Sequence, residues 1–407
     1  MKLRLIIWFA SAAGWLSRVT KRGSGVMVTG RMILKLDKDA TAALSENRKI
    51  VLISGTNGKT TTTSLIQAAL RTESKVVSNE TGANLFAGVT AALSKNRIAP
   101  VAALEVDEMV IPWAIKQTNP TLIVLLNLGR DQLDRLSEVR VVAQKWKFAL
   151  RNIPQKCQIL ADADDPFVVW AAQDSANVIW FSGGSQGHLD ASTCPVCGVV
   201  LDWSRDGSGF NCNCGFTKPQ PDWVLQGDFL RGPKNQEVRV SSTMPGIAAK
   251  SNAARAIVAA NILGIALTKA AVAIGQIASV GGRFGNLRIG NTNFRLMLSK
   301  NPASWRETLL TSSTGPAQVL LVVNAQTQDG KDTSWLWDVE FSPLVGREVL
   351  VTGERKLDVS ARLTIAGIDH LIVKDESAAA KHFGAGNADI IASYTAFYRL
   401  AKSVSKK

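Results

Sequence analysis

Cysteine is scarce here: five residues in a chain of 407, too few for the disulfide framework that small secreted domains rely on. Four of them, Cys194, Cys197, Cys212 and Cys214, crowd into one short window, which reads as metal binding in a reducing compartment. Histidine is scarcer still. His188, His370 and His382 are the whole set, and none is near a free cysteine in a nucleophile-elbow sequence. Long apolar runs are also missing. Lys2 to Trp15 holds one from Leu5 to Ala13, well short of the roughly 20 residues that span a bilayer. Arg18, Lys21 and Arg22 follow at once, and Ala10-Ser11-Ala12 is a poor cleavage site. The segment reads as a helix of the mature protein, lying on its own core or on a membrane surface; a signal segment or anchor is the alternative. No internal repeat is apparent.

What is present is an ordinary folded composition, 46% hydrophobic and 20% charged, long enough for two or three domains and inconsistent with disorder. The formal charge of +14 favours anionic partners such as nucleotide phosphates, nucleic acid or an acidic membrane surface, and is silent on fold. Short β-branched runs alternate with helical stretches at Lys49–Ser54, Val101–Val106, Leu122–Leu126, Gln158–Ala161 and Val178–Phe181. A second series occupies Gln318–Val323, Glu348–Thr352, Leu371–Lys374 and Asp389–Ala392. Such alternation predicts βαβ units and mostly parallel sheets. Between the series lie a helical run, Asn252–Ile265, and a Gly-rich linker, Gly281-Gly282-Arg283-Phe284-Gly285. The expected layout is a helical segment over 1–40, a larger α/β domain over 41–280 with a cysteine-rich insertion at about 188–220, and a smaller α/β domain over 290–407.

The strongest motif is Val51-Leu-Ile-Ser-Gly55-Thr56-Asn57-Gly58-Lys59-Thr60-Thr61-Thr62, a strand running through a Gly-rich turn into a helix. Gly55 and Gly58 let backbone N–H groups close around phosphate oxygens, and the helix N-terminus adds its dipole. Lys59 supplies a point charge to the β- and γ-phosphates, and the Thr60 hydroxyl is a Mg²⁺ ligand. The general pattern wants glycine where Ile53 stands, so this is a variant loop. Glu105 ends an apolar strand, where a doubly wound sheet places its ligands; a solvent-facing charge is the plainer reading.

Cys194-Pro-Val-Cys197-Gly, then Cys212-Asn-Cys214-Gly, gives two close thiolate pairs suited to one tetrahedral Zn²⁺. Four thiolates leave no position open for water, so the zinc is expected to be structural. Arg205 is the only cation between the outer cysteines, and the basic, aromatic face of a nucleic-acid ribbon is missing. Cys157 is left as a core thiol. In the C-terminal part, Asn324-Ala-Gln-Thr-Gln-Asp329-Gly330-Lys-Asp332-Thr-Ser334-Trp335-Leu-Trp337-Asp338 follows a predicted strand, the usual place for function in α/β folds. A solvated turn with an aromatic anchor is the plainer alternative.

The loop form G-T-N-G-K-T-T resembles the central domain of Mur ligases. Thr81-Gly-Ala-Asn84, Leu104-Glu105-Val-Asp107-Glu108, Asn127-Leu-Gly-Arg130-Asp131-Gln132-Leu-Asp134-Arg135 and Ala161-Asp162-Ala-Asp164-Asp165-Pro166 follow in the order seen in the MurT family. Leu298-Ser-Lys300-Asn301-Pro302, Val351-Thr-Gly353-Glu-Arg355 and Ser393-Tyr394-Thr395 extend the resemblance over nearly the whole chain. It implies an α/β fold: a P-loop Mur-ligase-type domain with a parallel sheet and a zinc-ribbon insertion, plus a smaller Rossmann-like domain. It implies ATP held by Gly55, Thr56, Asn57, Gly58, Lys59, Thr60, Thr61, Asn84 and Asn252, and Mg²⁺ held by Thr60 and Glu105. It implies a structural Zn²⁺ on the four cysteines and Asp332 as the catalytic carboxylate that completes a partner's Cys–His pair. The implied activity is ATP-dependent amidation of the α-carboxylate of D-glutamate in the lipid II stem peptide, through an acyl phosphate and ammonia. The ammonia would come from a GatD-type glutaminase in a heterodimer, since no glutaminase is legible in this chain. The expected location is cytoplasmic, with a peripheral place at the inner membrane face left open, and no nucleic acid is expected.

Two departures from ordinary Mur ligases stand out. Arg130 and Gln132 occupy the region where a histidine is usual, and only Asn252 remains of a two-asparagine helix-start motif, in Ala249-Lys-Ser-Asn252. They leave open the second metal position and the adenine contacts. The competing readings are a stand-alone Mur-type amino-acid ligase and a nucleic-acid-binding P-loop ATPase. The first lacks that histidine and a recognisable UDP-sugar domain, with only about 45 residues ahead of the loop. The second lacks a basic–aromatic stripe.

Overall fold

The computed structural model describes residues 2–20, 24–79, 82–130, 139–184, 191–277 and 284–404. Thr81, Asp131, Gln132, Asp134, Arg135, His188 and the linker residues Gly281, Gly282 and Arg283 lie outside the described residues. The chain falls into two compact units, the first running essentially to residue 277 and the second from 284 onward; the short stretch 243–249 also belongs to the second.

In the first unit, strands β1 (Lys49–Ser54), β2 (Val76–Val77), β3 (Val101–Glu105), β4 (Leu122–Leu125), β5 (Gln158–Asp162) and β6 (Val178–Ser182) pair in parallel. Ile50, Val51, Leu52 and Ile53 are all fully buried. A strand covered on both faces reads as an unbroken apolar run rather than an alternating one. A small antiparallel pair, β7 (Asp202–Trp203) and β8 (Phe210–Asn211), carries the cysteine-rich insertion. The chain then rejoins the sheet through β9 (Trp223–Gln226), β10 (Phe229–Arg231) and β11 (Glu237–Arg239), the last two antiparallel. The spatial order is β11-β10-β9-β6-β5-β4-β1-β3-β2. Chain order therefore reverses beside β1: β3 and β2 lie on one side, β4 to β6 on the other. The crevice at the carboxyl ends of β1 and β4 is the switch point where open α/β sheets bind ligands.

The second unit holds β12 (Phe284–Ile289), β13 (Thr292–Leu298), β14 (Gln318–Val322), β15 (Glu348–Thr352), β16 (His370–Ile372) and β17 (Gly386–Ala392), in the order β12-β13-β17-β14-β15-β16. Only the β12–β13 hairpin is antiparallel. Phe284 and Gly285, expected in a linker, already form the first rungs of that hairpin. The helix expected at Asn252–Ile265 runs from Ile247 to Ile262. Gly246, at φ 96°, ends the preceding chain, and the helix formers Ile247-Ala248-Ala249 begin it at once.

The N-terminal segment forms helices Lys2–Val19 and Val26–Leu36 within the first unit. Ile6, Ala10 and Gly14 are the buried residues of the first helix. Side chains there would keep the two helices apart: a Cβ on Gly14 would stand 2.1 Å from Thr29 Oγ1. The second helix approaches helix Phe86–Lys95 as closely, since a Cβ on Gly30 would stand 1.8 Å from the Ala87 carbonyl. Overpacking of this kind costs roughly 1–3 kcal/mol. Gly30→Ala should accordingly lower the melting temperature of the purified chain by several degrees, and an unchanged melting curve would show that the contact is not close-packed.

Candidate functional site

The loop between β1 and helix Lys59–Leu70 is shaped by Gly55 (φ 141°) and Gly58 (φ 87°), both in conformations that side chains disfavour. A Cβ on Gly58 would stand 2.8 Å from Asn252 Oδ1, so the Asn252 side chain lies directly against the loop. It does so from the second turn of its helix rather than from a helix start.

The loop is clamped from the end of β4. The Asn127 carbonyl accepts the Thr56 N–H at 2.7 Å. Its side-chain Oδ1 accepts the Asn57 N–H at 3.0 Å, and its Nδ2 donates to the Asn57 carbonyl at 3.1 Å. Thr56 Oγ1 donates to the Gly129 carbonyl at 3.1 Å and accepts the Gly129 N–H at 3.0 Å. The clamp is itself held. Asp165 caps helix Pro166–Ala172 by accepting from the Phe167 and Val168 N–H groups, and its other oxygen accepts the Leu128 N–H at 2.7 Å.

Lys59 is buried at the first turn of the helix that follows the loop. Its Nζ donates to the Gly55 carbonyl and to Glu108 Oε2, the latter at 3.0 Å. The carboxylate holds the cation over the loop, the position from which a lysine meets a phosphate. Glu105 closes β3 in register with Ile53 of β1 and is buried. Asn79 fixes its backbone on both sides, accepting the Glu105 N–H at 2.9 Å and donating to its carbonyl at 2.7 Å. Asn84 Nδ2 donates to Glu105 Oε1 at 3.2 Å. The structure thus brings together Gly55 to Lys59 with Asn252, and Asn84 with Glu105. Thr60 and Thr61 begin the adjoining helix. A threonine hydroxyl and a buried carboxylate are hard oxygen donors of the kind Mg²⁺ takes. Asn127 and Glu108 lie inside recognisable motifs, but their roles have no local sequence signal, because each contact spans about 50 to 70 residues.

The four cysteine sulfurs lie within 4.8 Å of one another. Cys194 Sγ and Cys214 Sγ are 3.7 Å apart, and Cys197 Sγ and Cys212 Sγ 3.5 Å apart. A tetrahedron of sulfurs at about 2.3 Å from Zn²⁺ has edges of about 3.8 Å, so the cluster has the size of one zinc site. Backbone bonds from Gly198 to the Cys194 carbonyl and from Gly215 to that of Cys212, both 2.9 Å, form the two knuckles. The Val199 N–H lowers the Cys197 thiol to about 7, while burial raises that of Cys194. Phe210 and Phe216 stack at 5.6 Å beside Cys194 and Cys212 in a small core. Cys157 is buried, in the main core of the first unit.

In the second unit, the loop after β14 is anchored at two points. Asp329 accepts from the Thr395 N–H (2.8 Å), the Thr395 hydroxyl (2.5 Å) and the Gln326 N–H (3.0 Å). Trp335 packs 5.9 Å from Trp305 in the core. Asp332 stands between the anchors, exposed. It accepts the Ser334 N–H at 2.8 Å, and that bond holds its carboxyl below the usual carboxylate range. Trp337 is 57% exposed, with the Arg362 guanidinium 5.7 Å over its ring.

With this geometry in view, residues 53–260 match the family model "Mur ligase middle domain" and residues 298–397 match "MurT ligase C-terminal". The chain belongs to the MurT family of Mur ligases. It is 28% identical to "Lipid II isoglutaminyl synthase (glutamine-hydrolyzing) subunit MurT" of Staphylococcus aureus (strain N315), over 90% of this chain and 89% of the relative. Identity to the subunit of the same name from Streptococcus pneumoniae (strain ATCC BAA-255 / R6) is 25%, over 96% and 94%. Among solved structures, a pseudomurein peptide ligase type C from Methanothermus fervidus superposes with a TM-score of 0.68 at 19% identity, covering 88% of this chain and 79% of that one. MurF ligase from Thermotoga maritima in complex with ADP gives 0.66 at 15%, covering 93% and 84%. These neighbours share the fold: an α/β chain with two largely parallel sheets.

The sulfur geometry of this MurT-family chain carries its own test. Freshly purified protein should contain one zinc per chain by elemental analysis. Cys212→Ser should lower both zinc content and melting temperature, because a small insertion draws folding free energy from its metal. Metal-free protein with an undiminished melting temperature would remove the assignment.

Proposed function

We propose that this chain is the ATP-using synthetase subunit of a glutamine amidotransferase, converting the α-carboxylate of D-glutamate in the lipid II stem peptide to the amide of D-isoglutamine. The observation that carries the reading is the presence, in one chain, of a clamped phosphate loop and an exposed, ionised carboxylate on a doubly anchored loop. The names of the relatives that match over most of both chains support it.

In this reading the N–H groups of Gly55–Lys59, the Lys59 ammonium and the helix dipole bind the ATP phosphates and stabilise charge as the γ-phosphoryl group moves. Thr60 and Glu105 would hold Mg²⁺, which when bound neutralises phosphate charge and orients the transfer. The substrate carboxylate oxygen takes the γ-phosphoryl group from ATP, ADP leaves with the electron pair of the broken P–O bond, and the carboxylate becomes an acyl phosphate. Ammonia attacks the acyl carbon, the C–O bond to phosphate breaks with its electron pair leaving on phosphate, and the nitrogen loses a proton. Water exclusion matters here, since an acyl phosphate exposed to water hydrolyses. Glutamine and water yield glutamate and the ammonia on a GatD-type glutaminase partner, whose imidazolium Asp332 would orient and stabilise. A lipid-linked substrate sets the work of the complex at the inner face of the membrane.

Two substitutions separate the parts. Lys59→Ala removes one charge from the phosphate site and should cut ATP-dependent amidation by roughly 10²–10³ with either nitrogen donor; full turnover at saturating ATP would move the site elsewhere. Asp332→Asn should leave ATP binding intact and suppress glutamine-dependent amidation, with a loss of up to about 10⁴ by analogy with the same change in a serine triad. High ammonium should restore product in that variant, because free ammonia bypasses the glutaminase. Equal loss with both donors would place Asp332 in the ligase step or in stability. No loss with either would make it an ordinary surface aspartate.

A further inference from the structure

The first helix, Lys2–Val19, is apolar on two opposite faces. Ile6, Ala10 and Gly14 are buried, and a Cβ on Gly14 would stand 2.1 Å from Thr29 Oγ1, so this face is packed closely on the second helix. That contact fixes which face looks outward. The outward residues Leu5, Trp8, Phe9, Trp15, Leu16 and Val19 are each between 55% and 66% exposed. With exposed Ala12, they recur at i, i+3, i+4, i+7, i+10, i+11 and i+14. At about 100° per residue these seven fall within an arc of about 120°. Lys2 and Arg4 border the arc on either side and Arg18 lies just beyond Arg4, all three exposed. Trp8 and Phe9 meet edge to face at 5.0 Å on this surface.

Charge says what kind of surface would cover it. The first 36 residues contain seven lysines and arginines and no aspartate or glutamate, so half of the net charge of +14 arises there. No helix among the described residues is long and apolar enough to cross a membrane, and this one has its other face committed to protein. An apolar stripe with Trp and Phe, bordered by cations and free of acids, is the pattern of a helix that lies in the headgroup plane with one face sunk about 5–10 Å.

We propose that the outer face of helix Lys2–Val19 docks the protein on an anionic lipid bilayer. This deepens the reading of a lipid-linked substrate and rests on that reading for its biological place, but its test needs neither ATP nor amidation. The full chain should sediment with vesicles of phosphatidylglycerol and phosphatidylcholine, and much less with phosphatidylcholine alone. Binding should weaken as salt is raised, because each Lys or Arg near the surface is screened. The combined change Trp8→Ser, Phe9→Ser, Trp15→Ser should weaken it at least tenfold, as should Arg4→Glu with Arg18→Glu. Both variants change exposed positions and should keep the parental melting temperature; the charge pair serves if the aromatic triple fails to fold.

Absence of the parent chain from the anionic vesicle pellet would overturn the proposal. So would either folded variant binding as strongly as the parent. A parent that is dimeric by light scattering and ignores vesicles, beside a monomeric aromatic variant, would show that a second copy covers the face instead. Vesicle binding without amidation, or amidation without vesicle binding, would tell failure of one reading from failure of the other.

Discussion

Asn127 uses its main-chain carbonyl and both ends of its amide on Thr56 and Asn57, and this clamp gives fixed shape to the Gly-rich loop proposed to bind phosphate. Glycine at positions 55 and 58 permits the required backbone angles but cannot enforce them, because the same freedom makes the unbound loop costly to order. Enforcement comes from β4, the neighbour of β1 across the switch point, whose next residues supply every bond of the clamp. Asp165 extends the chain of constraint by one more step, tying Leu128 to the start of helix Pro166–Ala172. A loop fixed this way meets its ligand with little ordering left to do, which is the energetic meaning of preorganisation.

Neighbouring carboxylates in the Asp162–Asp165 run do other work. Asp162 meets Arg255 at 2.6 Å, and the Arg255 guanidinium also lies 4.6 Å over the Phe181 ring. Asp164 accepts from Ser182, Gly183 and Lys218. Lys218 follows the last knuckle of the cysteine cluster, so Asp164 ties the insertion to the carboxyl end of β5. One short acidic stretch at a strand end thus serves the helix cap, the sheet and the insertion, and each carboxylate is compensated by hydrogen bonds, as burial of a charge demands.

The sequence made β1, β3, β4 and β5 legible because continuous apolar runs are the mark of strands buried on both faces, and β6 carries a similar run although its first three residues are only half-buried. Strands β7 to β11 are two to four residues long with mixed exposure, too short to show a period. The β12–β13 hairpin was hidden by its glycines at 285 and 290, which look like linker residues until pairing is seen. The site divides in the same way. Gly55, Gly58, Lys59 and the four cysteines announce themselves through spacing that their chemistry requires. Glu108, Asn127 and Asp165 act across 37 to 70 residues of chain, and no local pattern encodes such a contact. The loop after β14 stood out by its place after a strand and by its tryptophans, and Asp332 within it only through the family resemblance, whereas the bonds that tie Asp329 to Thr395 and Gln326 became visible only in three dimensions.

The net charge of the sequence was the least informative of its bulk properties until it could be placed. Read as a total, +14 points equally to nucleotide, nucleic acid or membrane. Yet the proposed nucleotide site adds little to that total, since Lys59 is matched by Glu108 at 3.0 Å. The excess gathers instead in the N-terminal helices, where Arg4, Arg18, Arg31 and Lys35 stay exposed with no acidic residue in the first 36 to answer them. Charge that is neutralised within a site tunes that site, whereas charge left uncompensated beside an apolar stripe acts at a distance, on whatever large anionic surface the stripe can enter. On the two proposals, the chain separates its uses of positive charge: a buried lysine held by a carboxylate for chemistry, and an exposed, acid-free cluster for location.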